Sequence, residues 1–157
     1  MKHIWAPWRI EYILSEKGEG CILCDKPKES RDEENYILHR GDKNFIILNS
    51  YPYNVGHLMV VPYRHVASLE EMTREESQEH IEMIAKGVTA LRTALAPGGF
   101  NIGMNIGRVA GAGIADHLHT HVVPRWQGDT NYMPIIADTN VLPQALVATY
   151  EKLKQAL

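Results

Sequence analysis

Cysteine is scarce in this 157-residue chain: Cys21 and Cys24 are the whole supply. A Cys-x-x-Cys pair closes too short a loop to restrict an unfolded chain, so a disulfide scaffold is excluded. Cationic excess is missing as well, since 16 Lys and Arg against 19 Asp and Glu leave a formal net charge of −3. Extended nucleic-acid binding, which neutralises many phosphates, is therefore not expected, although a local phosphate pocket stays open. No stretch approaches the ~18 consecutive apolar residues of a membrane span. The opening MKHIWAPWRIEYI lacks the apolar run and small-residue cleavage site of a secretory signal. A cytoplasmic location without a membrane partner is the expectation. Repeats and low-complexity tracts are also lacking. What the chain does have is 45% apolar residues, enough for one good core, and a single domain over residues 1–157 follows.

Trp5, Trp8 and Tyr12 sit in the first twenty residues without periodicity, and an extension packed by its aromatics on the core or on a neighbouring subunit is expected for 1–20. Charged residues and Pro27 make 26–35 read as a solvated loop. The short β-prone runs YILHR, FIILNS and HLMVVP are separated by GDKN and YPYNVG, both rich in turn formers, which predicts three strands with tight connections. Thr73 followed by Glu76 forms a capping box ahead of Ile81, Ile84, Ala85, Val88, Leu91 and Leu95 at helical spacing, and PGG at 97–99 ends the run. FNIGMNIG and HLHTHVV predict two more strands, and 142–157 carries a modest helical pattern. That order argues for an α+β fold: a mostly antiparallel sheet of about five strands, one long amphipathic helix and a C-terminal helix.

His117, His119 and His121 occupy alternate positions of an apolar run. On a strand, residues two apart share a face, roughly 6.6 Å from one another, with Leu118, Thr120 and Val122 on the other side. One such histidine is commonly a satisfied polar residue; three in register argue for chemistry. Neutral imidazoles could hold a catalytic zinc or iron. Alternatively, one imidazole attacks phosphorus while its neighbours neutralise the developing charge. Gly107, Gly111 and Gly113 just upstream let backbone amides approach an anion, which favours phosphate, though such loops also serve as plain connectors. Cys21-x-x-Cys24 could supply half of a tetrahedral zinc site; a redox pair would require a helix opening in a thioredoxin-like setting, and two ordinary thiols are the bland reading. His80 reads as solvated on the polar stretch of the helix, and neither it nor His3 or His39 is given a role.

The run His117-Leu-His119-Thr-His121-Val-Val resembles the signature of the histidine triad nucleotide-binding family, and FIILNSYPYNVGHLMVVPYRH resembles a second stretch of it. The similarity covers about Cys21 to Trp126 and is strongest toward the bacterial diadenosine tetraphosphate phosphorylase-like branch. The resemblance implies a HIT-like fold and a nucleotidyl transferase or hydrolase acting on dinucleoside polyphosphates, with phosphate or water as acceptor. It implies His119 as the nucleophile, with His121 and His57 as phosphate-contacting imidazoles and His117 as the remaining triad member. Asn49 falls at the ribose position, Ile47 and Leu48 at the base slot, and Asn105 near the phosphates. His65 and His117 would complete a structural zinc site with Cys21 and Cys24, and a homodimer or higher homo-oligomer is expected. Where many members carry Gln followed by Ser or Thr, this chain has Gly113 and Ile114; isoleucine has no hydroxyl, so the leaving group must find other donors. A zinc-stabilised nucleotide-binding module with little turnover is the alternative.

Overall fold

The computed structural model describes residues 20–129 and 144–157, so the expected packing of the N-terminal extension lies outside the described residues. The elements are α1 (Ile22–Asp25), α2 (Asp32–Asn35), β1 (Ile37–Arg40), β2 (Asn44–Leu48), β3 (Leu58–Pro62), α3 (Arg74–Leu95), β4 (Gly99–Met104), β5 (Thr120–Arg125) and α4 (Leu146–Ala156), with single 3₁₀ turns between some of them. The five strands form one sheet in the order β1-β2-β3-β5-β4, every neighbouring pair antiparallel. The α+β architecture and both principal helices are as the sequence predicts.

β2 and β3 are buried on both faces because α3 and α4 cover one side of them and the α1 region covers the other. Ile46, Leu48, Leu58 and Val60 join Leu91 and Met83 of α3 and Leu153 of α4 in one core. Phe45, Ile47 and Val61 point the other way and pack with Leu23 and Ile37, flanked by Cys21, Met59 and Ile114. Each fully buried aliphatic side chain contributes about 1.5–3 kcal/mol, so this second, smaller cluster is what pins the α1 region onto the sheet. The C-terminal helix is tied on by polar bonds too: the Tyr150 hydroxyl donates to the Ile37 carbonyl at 3.2 Å and Lys154 Nζ to that of Leu38 at 2.9 Å.

The capping box at α3 forms as expected: Glu76 N–H donates to Thr73 Oγ1 at 3.2 Å, and Thr73 N–H donates to Glu76 Oε2 at 2.8 Å. The helix stops at Leu95 with Ala96 in the left-handed conformation. Its buried face is only in part the stripe expected from the apolar residues: Leu91 is in the core and Ile84, Val88 and Leu95 pack against it, but the most deeply buried row is a different one. Glu76, His80, Met83, Gly87, Ala90 and Leu91 face inward, while Ile81 is 63% exposed and Ala85 is exposed. A polar pair and a glycine on the inward row hide the true periodicity. His80, expected to be solvated, is 1% exposed. Its Nδ1–H donates to Asn44 Oδ1 at 2.7 Å, and Thr120 Oγ1–H donates to its Nε2 at 2.6 Å.

Two further expectations are corrected. Residues 26–35 are not a loop throughout: a 3₁₀ turn spans Lys26–Lys28 with Pro27 at its start, and α2 follows. These turns are too short to show a period. HLHTHVV enters the ladder only at Thr120, because β3 pairs with β5 over Leu58–Val122 to Val60–Thr120 and no further. Of the three histidines, only His121 lies in the paired strand.

Candidate functional site

A cleft of about 810 Å³, counting its open mouth, runs along the edge of the second core cluster. The ends of β2 and β5 meet there: Ile47, Leu48 and Asn49 come from one, His119 and His121 from the other, and Asn105, Gly111, Gly113 and Ile114 from the glycine-rich connector. Six of the residues expected to hold nucleotide therefore line the same cleft as two of the triad histidines. Gly56 allows the approach to β3. It sits at φ +79°, and a Cβ there would stand 2.6 Å from Leu95 Cδ1 and 2.9 Å from Leu91 Cδ2, so only glycine fits before His57.

The hydrogen bonds fix which nitrogens carry protons. His119 Nδ1 faces the His117 carbonyl at 2.8 Å. A carbonyl only accepts, so Nδ1 bears the hydrogen and Nε2 keeps its lone pair. His57 accepts the Tyr53 backbone N–H on Nδ1 at 3.0 Å, so its Nε2 bears the hydrogen and donates to His121 Nδ1 at 2.9 Å. In His121 the hydrogen is consequently on Nε2. The rings of His119 and His121 stand 4.9 Å apart, nearly perpendicular. The cleft thus holds a bare ring nitrogen beside an N–H donor, a pairing suited to a group that must be attacked and stabilised at once.

Burial keeps these rings neutral. It pushes His57 down to about 3 and His121 to about 4, with the neighbouring imidazoles adding to the effect. His119 is also lowered by burial, against the bond to the His117 carbonyl, which acts the other way. At neutral pH the lone pair on His119 is available without any base to remove a proton.

His57 and His117 do not themselves face the cleft. His57 is fully buried and reaches it only through His121. His117 has both nitrogens engaged elsewhere. Its Nε2–H donates to the Pro62 carbonyl at 2.8 Å, and its bare Nδ1 lies 3.2 Å from Cys21 Sγ and 3.4 Å from Cys24 Sγ. His65 Nδ1 is 3.3 Å from Cys24 Sγ. The four donor atoms lie within 4.8 Å of one another. A tetrahedral zinc with ordinary bond lengths spaces sulfur and nitrogen ligands by about 3.6 Å, so this soft Cys₂His₂ set fits such an ion. Burial, with Cys21 alongside, pushes the Cys24 thiol up to about 11, and a bound cation would bring it back to the thiolate. The Pro62 carbonyl, by fixing the His117 tautomer, supplies the outer support that metal-bound histidines use. Cys21 stands at the N-cap of a short helix without a side-chain cap bond, but that four-residue turn leads into a 3₁₀ turn, and among the described residues no parallel βαβ unit surrounds it.

The sequence reading missed several cleft residues. Ile22 and Leu23 add to the apolar wall, and Lys26, Tyr51 and Tyr53 also line the cleft. The two tyrosines flank Pro52 just beyond Asn49 and Ser50, a signal that was legible but looked like turn composition.

Comparison with known proteins points one way. The HIT domain family model matches residues 30–128. A protein of Mycobacterium tuberculosis described as AP-4-A phosphorylase is 41% identical over 155 residues, covering 93% of this chain and 79% of its own length. Among solved structures, a zinc-bound histidine triad family protein from Mycobacterium smegmatis superimposes with a TM-score of 0.69 at 25% identity, over 87% of this chain and 92% of that one. A histidine triad nucleotide-binding protein from Sulfolobus tokodaii gives 0.68 at 28% identity, over 87% and 88%.

Proposed function

The chain belongs to the HIT domain family, and from that premise we propose that it is an enzyme that cleaves dinucleoside polyphosphates such as diadenosine tetraphosphate through a nucleotidyl group carried on His119. The observation that carries this reading is the pairing of a bare His119 Nε2 with a His121 N–H donor in one cleft. The similarity to an AP-4-A phosphorylase supports the substrate class.

In this reading the base enters between Ile47, Leu48, Ile22 and Leu23, and Asn49 holds the ribose. His119 Nε2 attacks the α-phosphorus. The nitrogen–phosphorus bond forms as the bond to the bridging oxygen breaks, and the departing nucleoside polyphosphate takes the electron pair. The His121 N–H donates to the phosphoryl oxygen that gains charge, and His57 holds that hydrogen on the correct nitrogen. The His119 Nδ1–H bond to the His117 carbonyl eases positive charge on the attacking ring. Amides of the glycine-rich connector and Asn105 serve the leaving group, since the Ile114 side chain has no donor. Phosphate or water then attacks the same phosphorus and frees His119. Cys21, Cys24, His65 and His117 would hold a zinc ion whose contribution is structural: it joins the α1 region to the residue whose carbonyl orients His119.

Assembly as a homodimer or higher homo-oligomer belongs to the same reading, supported by β4 at the sheet edge with Ile102 exposed and Ile81 exposed on α3. A cytoplasmic location is proposed too; among the described residues no helix is long and apolar enough to cross a membrane.

Product analysis tests the reading. With diadenosine tetraphosphate, ADP and ATP formed only when phosphate is present mark a phosphorylase, and AMP and ATP formed without it mark a hydrolase. His119→Ala should abolish either. Tight binding with no His119-dependent product would instead identify a nucleotide-binding module.

A further inference from the structure

A dinucleoside polyphosphate has two bases, and the apolar slot accounts for one. We propose that Tyr51 and Tyr53 form a stacking platform for the second, departing nucleoside; the inference rests on the substrate class proposed above and specifies how the other half of that substrate is held. Both rings line the cleft that holds His119 and His121, yet they are 38% and 46% exposed. One exposed aromatic residue is ordinary, but two on one loop at the rim of the cleft put aromatic area within reach of a base that extends out of it.

The loop is held in place by its own bonds. Tyr51 N–H donates to Asn49 Oδ1 at 2.9 Å and Tyr53 N–H to His57 Nδ1 at 3.0 Å. Farther along, Asn54 Nδ2 donates to the Pro124 carbonyl at 3.2 Å and to Asp129 Oδ2 at 2.9 Å. Pro52 between the tyrosines stiffens the backbone further. Rings presented by a fixed loop lose little entropy on stacking a ligand.

Their location matches the departing half. The Tyr53 ring centre is 4.7 Å from that of His57 and 5.9 Å from that of His121. It therefore stands beside the imidazole that meets the transferred phosphoryl group. A polyphosphate leaving that point is flexible enough to lay its terminal nucleoside on the rim.

The test compares diadenosine tetraphosphate with adenosine 5′-tetraphosphate, which has the same number of phosphates and no second nucleoside. In Tyr51→Ala/Tyr53→Ala, the ratio of kcat/KM for the dinucleotide to that for the mononucleotide should fall at least five-fold, the lower end of what a lost base–aromatic stack costs. Tyr51→Phe/Tyr53→Phe should keep the wild-type ratio, because the ring and not the hydroxyl stacks. Equal losses for both substrates would mean that the tyrosines only support His57, and no loss for either would mean that they do nothing; each result overturns the platform. Dissociation constants for the two nucleotides read the same ratio without turnover. A wild-type protein that binds but cleaves neither compound would sink the enzymatic reading and still decide the platform.

Discussion

The arrangement at His57, His121 and His119 turns on single protons. His57 is buried and separated from the cleft by His121, so the role proposed for it is the tautomer it imposes. His57→Phe should lower kcat about 100-fold, the scale of a misplaced acid–base group, with KM nearly unchanged; a raised KM at constant kcat would place His57 against substrate instead. The same burial has a stability consequence. His57 is held down to about 3 and His80 to about 4, below the 6.5 of a free imidazole. The native state therefore binds fewer protons than the unfolded one. Stability is fully present above about 6.5 and declines as pH falls toward 4 and then 3. Urea midpoints measured between pH 7 and pH 4.5 should drop progressively, and a flat profile would contradict the assignment. At this scale the sequence was informative about identity and poor about role. Alternation brought His119 and His121 together, but the assignment of His57 to a backing position depends on the Tyr53 N–H, a contact that no spacing encodes.

Among the elements, α3 carries the clearest lesson. Its start was legible, because Thr73 and Glu76 satisfy each other's backbone donors whatever the rest of the fold does. Its buried face was legible only in part: Ile84, Val88, Leu91 and Leu95 pack on the core as their spacing predicts, but His80 sits on the inward row through bonds to Asn44 on β2 and Thr120 on β5, partners distant in sequence. Asn44 is itself held by the Glu76 carbonyl and Glu79, which makes the set a fully satisfied polar bridge between helix and sheet. His80→Leu should destabilise by about 2–4 kcal/mol by orphaning a carbonyl oxygen and a hydroxyl. Adding Thr120→Val should recover about 1 kcal/mol, since removing both partners is cheaper than removing one. Thermal melts of the single and double variants check this; strictly additive losses would mean that the bond itself carries no coupling.

For the whole molecule, the α+β class and the five strands followed from the order of β-prone runs and the capped helix, while the strand order did not, since β5 inserts between β3 and β4 through long-range pairing. The Cys₂His₂ cluster joins parts of the chain that are far apart in sequence, and none of its four residues lines the cleft. Chelation should lower the melting temperature and speed amide exchange at Cys24 and Asp25, whose N–H groups bond the Cys21 carbonyl. Brief chelation should nevertheless leave most of the nucleotide cleavage intact; immediate loss would favour a His-ligated metal as the catalyst.

The central claim is that the bare nitrogen of His119 becomes bonded to phosphorus during turnover. Rapid acid-free quenching with diadenosine tetraphosphate, followed by peptide mass spectrometry, measures it directly. The account predicts a nucleotidyl increment on the peptide containing His119, labile to acid and missing in His119→Ala. Steady product formation with that peptide never modified, or the increment on another residue, would contradict it.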